Sequence, residues 1–330
     1  MVLRGNGAIV AAGLTRFFDG FRAVRGVSFG VQEGEIFGFL GPNGAGKTTT
    51  IRMLCTLLRP SAGEAYVNGF NVVTQPMQVR RSIGIIFQDP SLDDRLTAEE
   101  NLNLHGMIYH LPRKTRRERI AEVLHMVDLA DRRRDLVRNF SGGMKRRLEI
   151  ARGLMHLPKV LFLDEPTLGL DPQTRSHIWD YLLRLRQERG LTIFLTTHYM
   201  EEAEHCDRIA IIDHGQIIAL DTPDRLKQQV GGDIITVRTQ DDEALEREIG
   251  ERYQVTVRRD AAGLHFEVED GAAFIPRLVQ SFPGRVQAVN LRRPTLDDVF
   301  LKVTGREIRE EIASSKDMLR AAARRRGRIR

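Results

Sequence analysis

Residues 41–48 read GPNGAGKT, which fits the pattern G-x-x-x-x-G-K-[ST]. A short apolar run, EIFGFLG (35–41), leads into it, and a helix-patterned run, TTTIRMLCTLL (48–58), follows. Phosphate oxygens need many donors at close range. Glycines let successive backbone N–H groups turn inward, and a helix N-terminus adds positive potential. On this reading Gly41, Pro42, Asn43, Gly44, Ala45 and Gly46 form a phosphate cradle. Lys47 reaches the β- and γ-phosphates, Thr48 ligates Mg²⁺ through its hydroxyl, and Thr49 shares the same first turn.

A second set of residues suits hydrolysis. VLFLDEP (160–166) ends an apolar run on two carboxylates. Asp164 there is costly without a cation, and Mg²⁺ held through water is its natural partner. Glu165 is the candidate general base, or orienter of the attacking water. His198 ends a third apolar run, LTIFLTTH (191–198), where an imidazole can hydrogen-bond a γ-phosphate. Gln88 follows IGIIF and offers a neutral amide to Mg²⁺ or to the water. Finally, Ser141-Gly142-Gly143-Met144 opens a helical pattern, a second helix start fit for an anion.

These residues need a sheet that collects strand ends on one side. Continuous apolar strands alternating with helical segments predict a largely parallel, two-sided sheet, an α/β fold. AIVAAGLTRFF and AVRGVSFGV predict antiparallel strands ahead of it, and RIAIIDHGQII (208–218) a hairpin. Residues 89–158 carry little strand signal and predict a helical insertion. Beyond residue 230 the order becomes β-α-β-β-α-β, a small α+β ferredoxin-like arrangement. A strand over QVTVRRD belongs to that order, as does a helix over AAFIPRLVQSF despite Pro276. A last helix over PTLDDVFLKVTG has Thr295 as N-cap and Leu296, Val299, Phe300 and Val303 as its stripe. The expected organisation is 1–230, 231–305 and a basic, flexible tail over 306–330.

Charge agrees with this division. The chain carries +6 overall, and residues 306–330 hold nine Lys/Arg against four Asp/Glu. The body is therefore near neutral, and no specific nucleic-acid surface is expected on it. No run of 18 apolar residues occurs and no signal peptide is evident, so a cytoplasmic location is expected. Cys55 and Cys206 lie in no metal-like spacing and read as two reduced core thiols.

Taken together the pattern resembles the ATP-binding subunit of ABC transporters, over residues 8 to about 225. The resemblance rests on GPNGAGKT, the Gln88 loop, SGGM, VLFLDEP, GLDP (169–172) and His198. SGGMKRRLEIARGL, DEPTLGLDPQTR, TTHYMEEAEHCDRIAIID and PTLDDVFLKVTGRE are similar to the daunorubicin-resistance group of drug-export ATPases. Nodulation-factor exporter ATPases look similar across the catalytic part. The resemblance implies ATP as substrate, Phe18 stacked on adenine, Asp171 in the D-loop, and a homodimer in which SGGM meets the partner's ATP. It also implies export, a separate ABC-2-type permease, and a peripheral place on the cytoplasmic face of the cell membrane. Met144 departs from the widespread glutamine. It is usual in this exporter group, and the Ser141 hydroxyl and backbone N–H groups are left to hold the phosphate.

Two features bear on the assembly. One chain carries two anion-suited helix starts but one P-loop, which predicts a head-to-tail dimer around two ATP. The alternative, a soluble ribosome- or RNA-associated ABC ATPase, usually has two cassettes in one chain, whereas this one has a single P-loop and signature.

Overall fold

The computed structural model describes residues 7–18, 20–88, 91–239, 241–260 and 263–304. The basic tail expected over 306–330 lies outside the described residues.

Three sheets organise the chain. Strands β1 (Ile9–Phe18), β2 (Phe21–Val31), β4 (Ala62–Val67) and β5 (Phe70–Asn71) form an antiparallel sheet in the order β2-β1-β4-β5. The central sheet has the order β10-β9-β3-β8-β7-β6. Its strands are β3 (Ile36–Leu40), β6 (Ile83–Ile86), β7 (Val160–Asp164), β8 (Thr192–Thr197), β9 (Arg208–Asp213) and β10 (Gln216–Asp221). All of its pairings are parallel except β9–β10, so the sheet is mixed. The third sheet, β12-β13-β11-β14, is antiparallel throughout. It comprises β11 (Asp233–Thr239), β12 (Arg258–Asp260), β13 (Gly263–Val268) and β14 (Val286–Arg292).

Eleven α-helices occur among the described residues. They are α1 (Lys47–Leu54), α2 (Pro76–Ser82), α3 (Ala98–Ile108), α4 (Arg113–Met126), α5 (Gly142–Gly153) and α6 (Pro172–Arg189), then α7 (Met200–Ala203), α8 (Pro223–Val230), α9 (Asp242–Tyr253), α10 (Gly271–Ser281) and α11 (Leu296–Thr304). Helices α3, α4 and α5 fill the stretch that the sequence left without strands. The β11-α9-β12-β13-α10-β14 order, with β11 central, is the expected ferredoxin-like topology.

Period-2 alternation sorts the central sheet into an aromatic and an aliphatic face. Phe37 and Phe39 of β3, Phe162 of β7 and Phe194 of β8 join Phe29 of β2 on one side. Their ring centroids sit 5.5–5.8 Å apart, within the range of favourable aromatic pairing. Ile36, Leu161, Leu163, Ile193 and Leu195 point the other way, onto the helical side. The two cysteines are buried and free, as expected.

Three local expectations change. Helix α1 stops at Leu54, because Cys55 caps it and Thr56 takes a left-handed φ of 63°. The strand expected over QVTVRRD shrinks to Arg258–Asp260: Gln254, at a left-handed φ of 55°, caps α9, and the chain enters the strand only at Arg258. Val303 is 41% exposed and does not join the stripe of α11. The rest of that stripe is buried: Leu296, Val299 and Phe300 pack into the same core as Leu226 of α8 and Ala203 of α7. Thr295 caps the helix, accepting from Asp298 N at 3.3 Å as anticipated. Lys302 then donates to the last carbonyls of α8, Gln229 O at 3.0 Å and Val230 O at 2.6 Å. The C-terminal helix thus returns to the first 230 residues.

Candidate active site

Parallel pairing puts the C-terminal ends of β3, β7, β8 and β6 on one edge, with Leu40 opposite Thr197 and Asp164 opposite Thr196. Each strand delivers a functional residue just past its end. This is where ligands bind in open α/β sheets.

β3 runs into the Gly41–Thr48 loop and helix α1. Gly46 takes φ +105°, and a Cβ there would lie 2.7 Å from Ala23 O, so only glycine fits the turn. Ala45 is buried and anchored, its carbonyl accepting from Gly215 N at 3.0 Å, while Asn43 and Gly44 are exposed. Lys47 is buried; its Nζ donates to Gly41 O at 2.7 Å and Pro42 O at 3.2 Å and pairs with Glu165 Oε1 at 3.3 Å. Thr49 is half-buried in the same turn.

His198 Nδ1 also lies 3.3 Å from Glu165 Oε1. Burial acts to raise the Glu165 carboxyl, but the His198 hydrogen bond and the Lys47 charge outweigh it and hold the group below its usual range. Burial draws the Lys47 ammonium below its usual range, against the opposing pull of Glu165 and Asp164. Glu165 is therefore ionised at neutral pH and able to take a proton. Its backbone sits at φ 49°, left-handed for a non-glycine, and Pro166 follows.

Asp164 is buried, and its Oδ1 accepts from Thr196 Oγ1 at 2.6 Å and Thr48 Oγ1 at 3.2 Å. Among the described residues no group of three or more His, Cys, Asp or Glu is placed to hold a metal. The donors at hand, one carboxylate and one hydroxyl beside a phosphate cradle, are hard oxygens. That set fits Mg²⁺, which takes few protein ligands and completes its shell with phosphates and water. Gln88 is exposed at the end of β6 and makes no hydrogen bond to Thr48 or Asp164.

The second helix start shares none of the hydrogen bonds or ion pairs of this cluster. Ser141 caps α5, its Oγ accepting from Met144 N at 3.3 Å, and Ser141 and Gly142 are exposed. Gly143 abuts Thr174 of α6, where a Cβ would meet Cγ2 at 2.5 Å. Asp171 caps α6, accepting from Thr174 N at 3.0 Å and Thr174 Oγ1 at 2.7 Å. Gly143 is thus required by contact within its own chain, a reason additional to phosphate access. Phe18 is exposed near the β1–β2 turn, with the Arg16 guanidinium 4.6 Å over its ring. Phe17 is likewise covered by Arg22, and Phe21 is the most exposed of the three.

Residues 24–168 match the ABC transporter family, and residues 222–304 match the C-terminal domain of DrrA1-3-like ATP-binding proteins. The daunorubicin/doxorubicin resistance ATP-binding protein DrrA of Streptomyces peucetius is 41% identical over 307 residues, 90% of this chain and 92% of its own length. The chain belongs to the ABC transporter ATP-binding subunits, in their daunorubicin-resistance group. The linearmycin resistance ATP-binding protein LnrL of Bacillus subtilis is 41% identical over 87% of this chain and 95% of its own. The Nod factor export ATP-binding protein I of Ralstonia nicotianae is 40% identical over 90% and 94%. A solved dimeric ATP-binding cassette in a post-hydrolysis state with ADP and Pi superposes with a TM-score of 0.59. It is 28% identical and covers 65% of this chain and 98% of its own.

Within this ABC ATPase, two contributors escaped the sequence reading. Thr196 donates to Asp164 and also accepts from Glu165 N at 3.1 Å, so one buried hydroxyl orients both carboxylate residues. Its only sequence signal is a polar residue where an apolar strand ends. Glu202 of α7 is 1% exposed and accepts from the Thr167 hydroxyl, and burial pushes it up to about 7. The helical pattern of MEEAE gives no hint of such burial.

Proposed function

We propose that this ATPase works as a homodimer that closes on two Mg-ATP and powers export through a separate ABC-2-type membrane permease. The observation that carries the reading is that the cluster at one phosphate-suited helix start has no bond to the other, whose first residues are exposed. Lys47, Glu165 and His198 converge, while Ser141 and Gly142 are exposed at the start of α5, with Gly143 against Thr174 and Met144 packed on the core. Two chains placed head to tail complete each site.

Chemistry then follows from the chain's own groups. Lys47 exchanges Glu165 and the two loop carbonyls for phosphate oxygens, which leaves Glu165 available. Glu165 orients the attacking water and takes its proton, and His198 holds Glu165 and contacts the γ-phosphate. Thr196 fixes both carboxylate residues. Thr48, Asp164 and Gln88 would hold Mg²⁺, which supplies charge neutralisation at the phosphates. Phe18 offers its exposed ring to adenine, and Ser141 with the N–H groups after it contacts the partner's γ-phosphate. Asp171 lies at the seam. Closure excludes water other than the nucleophile, and hydrolysis releases the seam.

The relatives' names denote drug resistance and export, which supports export of a drug-like or lipid-like molecule here. No helix among the described residues is long and apolar enough to cross a membrane; this reading places the path in the permease. The exposed Leu104, Met107 and Ile108 at the end of α3 suit a partner helix. Tyr109, next in the chain, stacks on His156 at 3.8 Å. Such docking would hold the subunit peripherally on the cytoplasmic face. The unit over 231–305 would steady the two cassettes, tied to them by α11. Affinity capture of the tagged chain from detergent-solubilised cells tests the partnership. A permease in the eluate supports it, and ribosomes in its place contradict it.

A further inference from the structure

Helix α5 has two buried, oppositely charged residues on the side away from its exposed start. Arg146 and Glu149 are 7% and 1% exposed, and Arg146 Nη1 donates to Glu149 Oε2 at 3.0 Å. A buried pair of this kind is costly unless its remaining hydrogen-bond capacity is used. Here it is used on backbone. Arg146 Nε donates to Pro166 O at 2.6 Å, and Nη2 reaches Asp164 O at 3.4 Å and Glu165 O at 3.3 Å. Nη1 also donates to Phe87 O at 2.7 Å. The other Glu149 oxygen, Oε1, accepts from Ser91 N at 2.8 Å.

One guanidinium therefore gathers three consecutive carbonyls around the left-handed turn at Glu165, plus the carbonyl just before Gln88. Its partner carboxylate holds the chain again at Ser91. A non-glycine residue in that φ region persists only where its surroundings fix it. Only the planar, five-donor fork of arginine spans these acceptors; a lysine ammonium offers three donors from one point.

We infer that Arg146 and Glu149 are positioning residues for hydrolysis. They fix the Glu165 turn and the Gln88 strand end to α5, the helix whose start is assigned to the partner's nucleotide. Seating of α5 against one nucleotide is thereby transmitted to the general base beside the other. This rests on the composite-dimer reading above. Neither residue touches substrate.

The test uses full-length Arg146→Lys, Arg146→Met and Glu149→Gln proteins. ATP bound per chain, kcat and KM are measured, with activity normalised to nucleotide-binding sites. The account expects kcat to fall at least 10-fold in both Arg146 variants, with KM and bound ATP within twofold, because the P-loop is untouched. Glu149→Gln, which keeps an acceptor for Ser91 N, should fall less. Arg146→Lys carries the test if Arg146→Met does not fold, since it keeps a charge opposite Glu149. A kcat within twofold of wild type in Arg146→Lys overturns the inference, as does a KM that rises in step with the loss of kcat. ATP-driven dimerisation of Glu165→Gln is scored separately. A monomer there sinks the composite site whatever Arg146 does, whereas a dimer with an unaffected Arg146→Lys sinks this inference alone.

Discussion

Gly143, in the first turn of α5, lies so close to Thr174 of α6 that a Cβ on it would stand 2.5 Å from Thr174 Cγ2. Thr174 cannot retreat freely, because Asp171 holds both its N–H and its hydroxyl. The helix start assigned to the partner's phosphate and the cap at Asp171 thus form one packed corner.

Gly143→Ala should therefore cost about 1–3 kcal/mol by overpacking, seen as a lower denaturation midpoint. Adding Thr174→Ser, which removes the crowding methyl, should recover most of that stability. ATPase activity should stay low in the double variant if Gly143 also clears the partner's phosphate. Full recovery of activity along with stability would show that the glycine serves packing alone.

Much of the site was legible because its signals are local. GPNGAGKT, VLFLDEP and the strand-end His198 each state their chemistry within eight residues. The relations between them were not. Thr196 meets Asp164 only through the β7–β8 register, and Arg146 reaches Phe87 and Pro166 across 59 and 20 residues of chain. The charge of Arg146, one of three cations after a helix start, does not name the backbone carbonyls that it reaches. The ferredoxin-like order was readable from alternation, but the return of α11 onto α7 and α8 was not, since an apolar stripe does not name what covers it.

That return should matter for stability. Phe300 is 1% exposed in the core shared with Leu226 and Ala203. Phe300→Ala should cost about 3–5 kcal/mol. Thermal melts followed through the fluorescence of Trp179 in α6, whose ring lies 4.7 Å from that of His205 just after α7, should register it. An unchanged melt would mean that α11 does not support the catalytic half.

Two buried groups should give opposite pH slopes. Burial, with Arg152 and His156 nearby, lowers His105 from 6.5 to about 3. Its contribution to stability is present above 6.5 and is lost as pH falls toward 3. Glu202, raised from 4.5 to about 7 by burial, contributes below 4.5 and loses that contribution as pH rises through 7. Each amounts to about 2 kcal/mol between pH 5 and 7. Relative to wild type, His105→Phe should gain stability as pH is lowered from 7 to 5, and Glu202→Gln should gain as it is raised from 5 to 8. Urea midpoints across that range check both signs, and a pH-independent offset in either variant would contradict the corresponding burial argument.

The composite site is tested most directly by sedimentation of Glu165→Gln with and without saturating Mg-ATP. Glu165 meets Lys47 and His198 at 3.3 Å, so the amide should leave ATP binding intact and slow hydrolysis by about 10²–10⁴. The expected result is a monomer without nucleotide and a stable dimer with it. A chain that binds ATP fully yet sediments as a monomer would contradict the account.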